Sequence, residues 1–317
     1  MRSGPFFMEH AMKRKPFPWH LVVFLAPAVL VYTVFMIYPM VASLTFSLFQ
    51  DAGNGRQVFV GLGNYVRLLT DPLWRDPFWN AFRNNLIFFA VHMTVQNPVA
   101  LLLAALLVTR VRGAWLYRTV IFTPAILSAV LIGFAWKLIL SPTWGIWLPL
   151  LDRLGLGDNE VAVALLGNPS SALLTLSLIS VWQNVGIPMM LFLAALIRVP
   201  RELVEAAQVD GATGWRVFWN VQFPLILPTV GIVAILTFIG NFNAFDLIYA
   251  TQGALAGPNF ATDILGTFFF RTFFGFQLRP GDPHMGATVA GVMLLIILTG
   301  VLLYLYGWQR RVGEVQY

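Results

Sequence analysis

Seven polar side chains stand inside long apolar runs of the chain and are the residues best suited to binding chemistry. They are Gln96, Asn97, Gln183, Asn184, Asn241, Asn243 and Asp246. Side-chain amides both donate and accept hydrogen bonds, so groups of them suit a ligand rich in hydroxyls. Amides also join helices to one another in membranes, and for any single residue that role is at least as well supported.

Gly and Pro residues stand beside several of these amides, as in Gln96-Asn97-Pro98 and at Gly186 and Pro188. They predict locally loosened helices whose free backbone groups face a cavity. Asp246 lies near the predicted external end of its apolar run, where solvent alone would account for a charge.

The chain lacks the residue sets that most catalytic and metal sites require. It has no cysteine, which excludes disulfides, thiolate nucleophiles and cysteine-based metal sites. Its four histidines lie far apart and form no HExxH motif, and no G-x-x-x-x-G-K-[ST] loop for ATP occurs. We therefore predict no catalytic residue, no metal site and no cofactor bound by this chain.

The elements that must position the amides are long apolar segments. Of the 317 residues, 58% are hydrophobic and 11% are charged, against about 25% charged in soluble domains. A helix needs roughly 20 apolar residues to cross a bilayer. Six windows meet this requirement: 21–48, 85–109, 119–140, 171–197, 225–250 and 284–307. The prediction is an all-α membrane protein with six transmembrane helices.

The windows also define the predicted organisation of the chain. It comprises a segment at 1–20, a first helix at 21–48, an external loop with an interfacial helix at 49–84, a five-helix core domain at 85–307 and a tail at 308–317. The basic run MKRK precedes the first helix. That helix is far longer than the 7–15-residue core of a signal peptide, so we expect it to be retained.

The charges indicate the orientation of the chain. Six spans place the segments 1–20, 110–118, 198–224 and 308–317 on one side of the membrane. These segments carry 12 basic and 5 acidic residues, whereas the remainder carries 8 basic and 9 acidic residues. The positive-inside tendency places both termini in the cytoplasm. Since the charges lie between apolar runs, the net charge of +6 does not indicate a nucleic-acid partner.

The polar segment 198–224 reads RVPRELVEAAQVDGATGWRVFWNVQFP and predicts a helix–turn–helix on the membrane face. Pro200 suits the first turn of a helix, where its missing N–H costs nothing. Gly211 is placed to end that helix in a left-handed conformation. Thr213 can cap a second helix, and Pro224 marks the start of the fifth span.

This segment has the properties of a docking surface. Ala206 and Ala207 permit close approach of another protein, and Glu205 offers a carboxylate to an Arg or Lys of that protein. An ordinary loop between spans is the alternative, but such a loop has no reason to be amphipathic.

The same run resembles the EAA motif of binding-protein-dependent ABC importer permeases, EAA-x3-G-x9-I-x-L-P. In this chain Val221 replaces the Ile of the motif and Phe223 replaces the Leu. The positions that match the motif and its neighbours are Glu205, Ala206, Ala207, Asp210, Gly211, Ala212 and Pro224. The resemblance implies that these residues couple the chain to an ATPase.

Three further stretches resemble the carbohydrate-uptake branch of that family. They lie at 24–49, 61–69 and 241–274, and the pattern is closest to the first permease subunit of maltose and glycerol-phosphate importers. Where that branch has a tight GGP before a Thr, this chain has the longer GALAGPNFATD.

The resemblance implies a MetI-like type I importer permease in a bacterial cytoplasmic (inner) membrane. Such a chain is non-catalytic and forms half of a pathway with a second permease subunit in a heterodimer. Two cytosolic ATPase subunits, which use ATP and Mg, each hold one EAA segment. An external, periplasmic binding protein delivers a sugar-like solute.

Three alternatives stay open at this point. They are the same fold importing a polyamine, phosphate or metal complex, an ion-coupled secondary carrier, and a membrane-embedded enzyme. The EAA segment argues against the carrier, and the lack of a cluster of intramembrane His, Asp or Glu argues against the enzyme. Only the detail in 241–274 favours a sugar over the other solutes.

Overall fold

The computed structural model describes residues 19–53, 56–109, 112–155, 157, 160–277 and 279–310. Within these residues the architecture is helical apart from two short antiparallel strand pairs. The pairs are β1 (Phe49–Asp51) with β2 (Gln57–Phe59), and β3 (Gly275–Phe276) with β4 (Arg279–Pro280). Most of the predicted N-terminal segment and C-terminal tail lies outside the described residues, as do residues 110–111 of the predicted cytoplasmic loop.

The α-helices follow one another along the whole described chain. In chain order they are α1 (Trp19–Tyr32), α2 (Tyr38–Phe46), α3 (Gly63–Thr70), α4 (Pro72–Val91), α5 (Asn97–Val108), α6 (Ala114–Ile126), α7 (Ala129–Ile139), α8 (Trp147–Arg153), α9 (Glu160–Val163), α10 (Ala172–Asn184), α11 (Gly186–Ile197), α12 (Arg201–Val209), α13 (Gly214–Val217), α14 (Phe223–Phe242), α15 (Asp246–Gln252), α16 (Leu265–Phe274) and α17 (Pro283–Leu303). Among the described residues, four helices are long and apolar enough to cross a membrane, and up to six if two bent pairs each form one span.

Widened π-helical turns join several of these helices into longer rods. Three of them lie at Thr33–Ile37, His92–Gln96 and Phe218–Gln222, and a fourth extends α17 at Tyr304–Gln309. Each of the first three is followed by an X-Pro pair. Proline cannot donate to the carbonyl four residues earlier and its ring crowds that carbonyl, so regular α-helical bonding is interrupted there. The residue before the proline donates five residues back instead, as the Asn97 N–H does to the His92 carbonyl. The helix therefore continues through the proline.

The two bent pairs replace helices that the sequence predicts as single spans. α6 and α7 meet at 96°, where Ser128 caps α7 by accepting a hydrogen bond from the Leu131 N–H at 3.4 Å. α10 and α11 meet at 45°, between Asn184 and Gly186. Pro188 has no N–H for the Asn184 carbonyl, which favours a bend at this point.

Two boundaries differ from the sequence prediction. The stretch predicted as an interfacial helix is divided at Asp71, which accepts a hydrogen bond from the Leu73 N–H at 3.0 Å and caps α4. α4 then runs directly into the second span instead of ending before it. The second helix of the polar segment is not separate either, because α13 continues through the π-turn into α14, past Pro224.

The buried core joins the helices that follow the first span. α5 and α11 pack closely through small residues, with Ala100 and Ala104 fully buried against Met189 and Phe192. In contrast, none of the span Val22–Phe46 is buried. Around its C-terminal end, the Phe46 ring stacks on the His284 ring with centroids 4.0 Å apart, so within the described residues the first helix is anchored at this end.

The loop between α15 and α16 is held by side chains of α4 and α16. Asn80 Nδ2 donates to the Phe260 carbonyl at 2.9 Å, and Asn84 Nδ2 donates to the Asp263 carbonyl at 2.8 Å. The Asp263 carboxylate is 1% exposed and pairs with the Arg271 guanidinium at 2.6 Å. Burial raises the pKa of Asp263, and the Arg271 charge opposes that rise.

Replacing Arg271 with Gln should destabilise the fold by about 3–5 kcal/mol near neutral pH, because it leaves a buried carboxylate unpaired. The pKa of Asp263 then rises further, so the folded state binds more protons than the unfolded state. Lowering the pH through that raised pKa neutralises the carboxyl and reduces the loss of stability. Thermal unfolding at about pH 8 and about pH 5 measures this difference.

The matched control is Arg75→Gln, which removes an exposed ion pair with Asp76. We expect that variant to change stability by at most about 1 kcal/mol at either pH. An equal loss for Arg271→Gln at both pH values would contradict the role assigned to Asp263.

Candidate functional site

A cavity of about 370 Å³ lies where four helix irregularities meet. Its walls include the π-turn His92–Gln96, the start of α7, the bend between α10 and α11, and the break between α14 and α15. Irregular backbone leaves N–H and C=O groups free of the helical pattern, and within a membrane it is tolerated where it borders a cavity or protein. Backbone and side-chain polar groups therefore converge at this cavity.

Six of the seven polar residues singled out in the sequence line this one cavity. They are Gln96, Gln183, Asn184, Asn241, Asn243 and Asp246. Asn97 is not among the lining residues, because its Nδ2 donates to Thr237 Oγ1 at 3.2 Å and so joins α5 to α14. An intramembrane amide can bind a ligand or join helices, and Asn97 joins two helices.

The amides of the cavity differ in how they are held. Gln183 Nε2 donates to the Leu127 carbonyl at 3.1 Å, at the break between α6 and α7. In contrast, Gln96 Oε1 and Asn241 Oδ1 are buried acceptors with no donor among the described residues. Buried acceptors are nearly always hydrogen-bonded. Gln96 and Asn241 both line the cavity, so two of its amides have an acceptor without a partner within the described chain.

Three further polar residues line the cavity beside the amides and the acid: His92, Ser180 and Thr237. His92 Nδ1 lies 2.8 Å from the Phe88 carbonyl, so it carries the hydrogen in the neutral ring, and Nε2 accepts from Ser180 Oγ at 3.0 Å. This bond joins the second span to α10. For His92 the sequence offered one signal: it precedes Gln96 by four residues, and residues at this spacing lie on the same face of a helix.

The first half of the predicted docking segment folds as expected. α12 ends with Gly211 in the left-handed region at φ +83°. The Ala212 N–H donates to the Ala207 carbonyl at 2.9 Å, and the Gly211 N–H donates to the Gln208 carbonyl at 3.0 Å. These two bonds form a Schellman motif, which confirms the predicted helix stop.

The surface of α12 is open. Glu205, Ala206, Asp210 and Gly211 are exposed, and Ala207 is partly exposed. The apolar side chain of Val209 is 88% exposed. Among the described residues nothing covers this face, so its small, apolar and acidic groups are available to another protein.

Other details of this segment differ from the prediction. Pro200 stands just before the first helical residue instead of inside the first turn, and the Thr213 side chain makes no capping hydrogen bond to α13. Ala212 is partly buried, and Pro224 is exposed inside the continuous helix.

One continuous helical rod joins the docking segment to the cavity. The rod starts at Gly214, after the turn that ends α12, and reaches Asn241 in the cavity wall. At 1.5 Å per residue its length is about 40 Å. A displacement of α12 can therefore be transmitted to the cavity along one helix.

Comparison with known proteins places these features in one family. Residues 96–312 match the family described as binding-protein-dependent transport system inner membrane component. The probable ABC transporter permease protein YurN of Bacillus subtilis is 32% identical over 279 residues, covering 87% of this chain and 91% of that protein. The lactose transport system permease protein LacF of Rhizobium radiobacter is 32% identical over 298 residues, covering 91% and 94%.

The fold is also similar to solved structures. A chain of the bacterial alginate ABC transporter, in complex with an alginate pentasaccharide-bound periplasmic protein, aligns with a TM-score of 0.74. The alignment has 24% identity and covers 90% of this chain and 93% of that one. This similarity confirms the predicted all-helical importer-permease fold.

Proposed function

Because this chain belongs to the family of binding-protein-dependent transport system inner membrane components, we propose that it forms half of the pathway of an ATP-driven sugar importer. The proposal rests on one observation: a single helical rod connects the docking helix to the cavity. The exposed docking helix α12 stands at one end, and the amide-lined cavity stands at the other.

The chemistry of the cavity supports a neutral, hydroxylated solute. Two buried amide oxygens can accept hydrogen bonds from hydroxyls, and the described residues that line the cavity include no Lys or Arg. The names of two relatives agree: LacF, already compared, and the multiple sugar-binding transport system permease protein MsmF of Streptococcus mutans, 29% identical over 285 residues.

A phosphorylated polyol is the second candidate. The sn-glycerol-3-phosphate transport system permease protein UgpA of Brucella abortus is 30% identical over 258 residues. A phosphate group needs cationic or N–H donors. Since the lining offers no cationic side chain, we favour the neutral sugar.

The proposed topology counts each bent pair as one span, which makes six spans and places both termini in the cytoplasm. The excess of basic residues on the side that carries α12 supports this orientation. The membrane is then the bacterial cytoplasmic membrane, with the cavity between its two faces.

The proposed assembly joins this chain to a second permease subunit in a heterodimer, to two cytosolic ATPases and to an external binding protein. One ATPase holds α12 and the other holds the corresponding segment of the second permease, and both ATPases use ATP and Mg. When the ATPases close, the docked segments move and the rods carry the movement to the cavity, so that the pathway changes the side to which it opens.

Reconstitution of the whole assembly tests this function. Proteoliposomes should contain this chain with the second permease, the ATPase and the binding protein encoded beside it, and uptake of labelled sugars is measured. We expect uptake only with all four components and ATP. Uptake driven by an ion gradient without the ATPase, or ATP hydrolysis by this chain alone, would contradict the proposal.

Replacing Gln96 with Met should lower uptake roughly two- to thirteenfold, as expected for one lost hydrogen bond of about 0.5–1.5 kcal/mol. Stability should be unchanged, because Oε1 has no donor within the described chain. Initial uptake rates and thermal unfolding of the purified chain measure the two effects.

Asn85→Leu is the matched control for an amide with a structural role. Asn85 Nδ2 donates to the Asn241 carbonyl at 2.9 Å, and Oδ1 accepts from the Leu265 N–H at 2.9 Å. Its loss should lower the unfolding temperature. If Gln96→Met behaves in the same way as Asn85→Leu, Gln96 has a structural role and does not belong to the pathway.

A further inference from the structure

A second pocket, of about 350 Å³, lies at the far end of the second span from the docking helix α12. The start of α4, the loop before α16, α16 itself and β4 enclose it. Trp74 in this pocket and His92 in the cavity are 18 residues apart on one rod, which corresponds to about 27 Å. The pocket therefore stands outside the apolar part of the span and shares no lining residue with the cavity.

The walls of this pocket are fixed by hydrogen bonds and an ion pair. Asn80 holds the loop at the Phe260 carbonyl, and the buried Asp263–Arg271 pair joins the loop to α16. The Arg271 guanidinium also lies 4.9 Å from the centroid of the Phe260 ring. A pocket held in this way is preformed, so a partner group can enter with little cost of ordering.

Two side chains of the pocket, Trp74 and Arg279, carry N–H donors for which the described residues show no acceptor or ion pair. Trp74 is 8% exposed, and its Nε1 is a buried donor with no acceptor among the described residues. The Arg279 guanidinium carbon lies 5.0 Å from the centroid of the Trp74 ring, and Arg279 forms no ion pair within the described chain.

The other charges of the pocket are already paired. Asp263 pairs with Arg271, and Asp76 pairs with Arg75. The pocket therefore has one uncompensated positive charge beside one unpaired N–H. A carboxylate complements both, because it accepts charge-assisted hydrogen bonds at two oxygens.

We propose that this docking pocket receives an acidic side chain of the external binding protein. The inference rests on the proposed function and topology, which place the pocket on the outer face. If an anionic lipid headgroup occupies the pocket instead, the variants leave the dependence on binding protein unchanged and the docking proposal is overturned. The separation of the pocket from the cavity argues against transported solute. Trp and Arg are also the residue types that dominate binding energy at protein interfaces.

The test uses the reconstituted complex with the binding protein encoded beside this chain. The measurement is the concentration of binding protein, loaded with its sugar, that gives half-maximal stimulation of ATP hydrolysis. Arg279→Gln removes the charge, and Trp74→Phe removes the N–H while keeping an aromatic ring. We expect each variant to raise this concentration roughly tenfold, equivalent to about 1.4 kcal/mol, with the rate at saturation unchanged.

Two matched controls lie on α4 and outside the pocket. Arg83→Gln removes the same charge, and Trp79→Phe makes the same ring change at an exposed tryptophan. Both should keep the wild-type concentration dependence. Arg279→Glu reverses the charge of the pocket. If an Asp→Arg or Glu→Arg substitution in the binding protein restores stimulation of this variant, the substituted residue is the partner carboxylate.

The outcomes separate the docking pocket from the proposed function. If the binding protein stimulates the wild type and both pocket variants equally, the docking pocket is overturned and the importer stands. If the variants change only the dependence on solute at saturating binding protein, the pocket binds solute and the docking proposal is again overturned. If the wild-type complex is not stimulated at all, the importer function itself fails.

Discussion

Glu205→Lys should abolish ATP-driven uptake while the chain still folds. Glu205 is exposed on α12 and forms no ion pair within the described chain, so its reversal removes nothing that holds the fold together. In the proposed assembly this carboxylate meets a basic residue of the ATPase beside Ala206 and Ala207. Loss of one partner of a desolvated charge pair costs about 2–5 kcal/mol, which weakens binding roughly thirtyfold or more.

Two measurements separate coupling from folding. The ATPase should no longer copurify with the variant, while the elution volume and unfolding temperature of the permease stay those of the wild type. Glu202→Lys makes the same charge change one turn earlier on the same exposed helix, and we expect it to retain most uptake. Normal uptake and full ATPase retention by Glu205→Lys would show that Glu205 does not contribute to docking.

Gly186→Ala should disrupt the bent span and with it both stability and transport. A Cβ at this position would lie 2.7 Å from the Phe122 Cα and 2.8 Å from the Ile121 carbonyl oxygen. Both are backbone atoms of α6, so relief requires a helix to move. Overpacking of this kind costs about 1–3 kcal/mol. The same shift would displace Asn184 and Pro188, which line the cavity.

Gly307→Ala provides the comparison, since a Cβ there has no neighbour within 4 Å. Alanine is the better helix former by about 0.5–1 kcal/mol, so this variant should be as stable as the wild type or slightly more so. Unfolding temperature and uptake rate are measured for both variants. Wild-type values for Gly186→Ala would mean that the contact between α6 and α11 yields easily and does not define the cavity.

Sequence reasoning anticipated the site in part. Side-chain type and the neighbouring Gly and Pro residues pointed to six amides and acids that do line the cavity. The same reasoning could not separate Asn97 from Asn241, because both are amides in apolar helices. What separates them is a neighbour 140 residues away in the chain, since Asn97 meets Thr237 while Asn241 Oδ1 has no donor among the described residues.

Composition and short-range spacing decided the membrane class, the apolar windows, the helix stop at Gly211 and the motif around Glu205. Apart from composition, each of these lies within one stretch of the chain, and short-range physical rules describe it. The bends, the continuous rods, the shared cavity and the pocket at Trp74 and Arg279 were decided only by the folded chain. These features arise where helices distant in sequence meet, and the energy of such contacts depends on partners that no local pattern specifies.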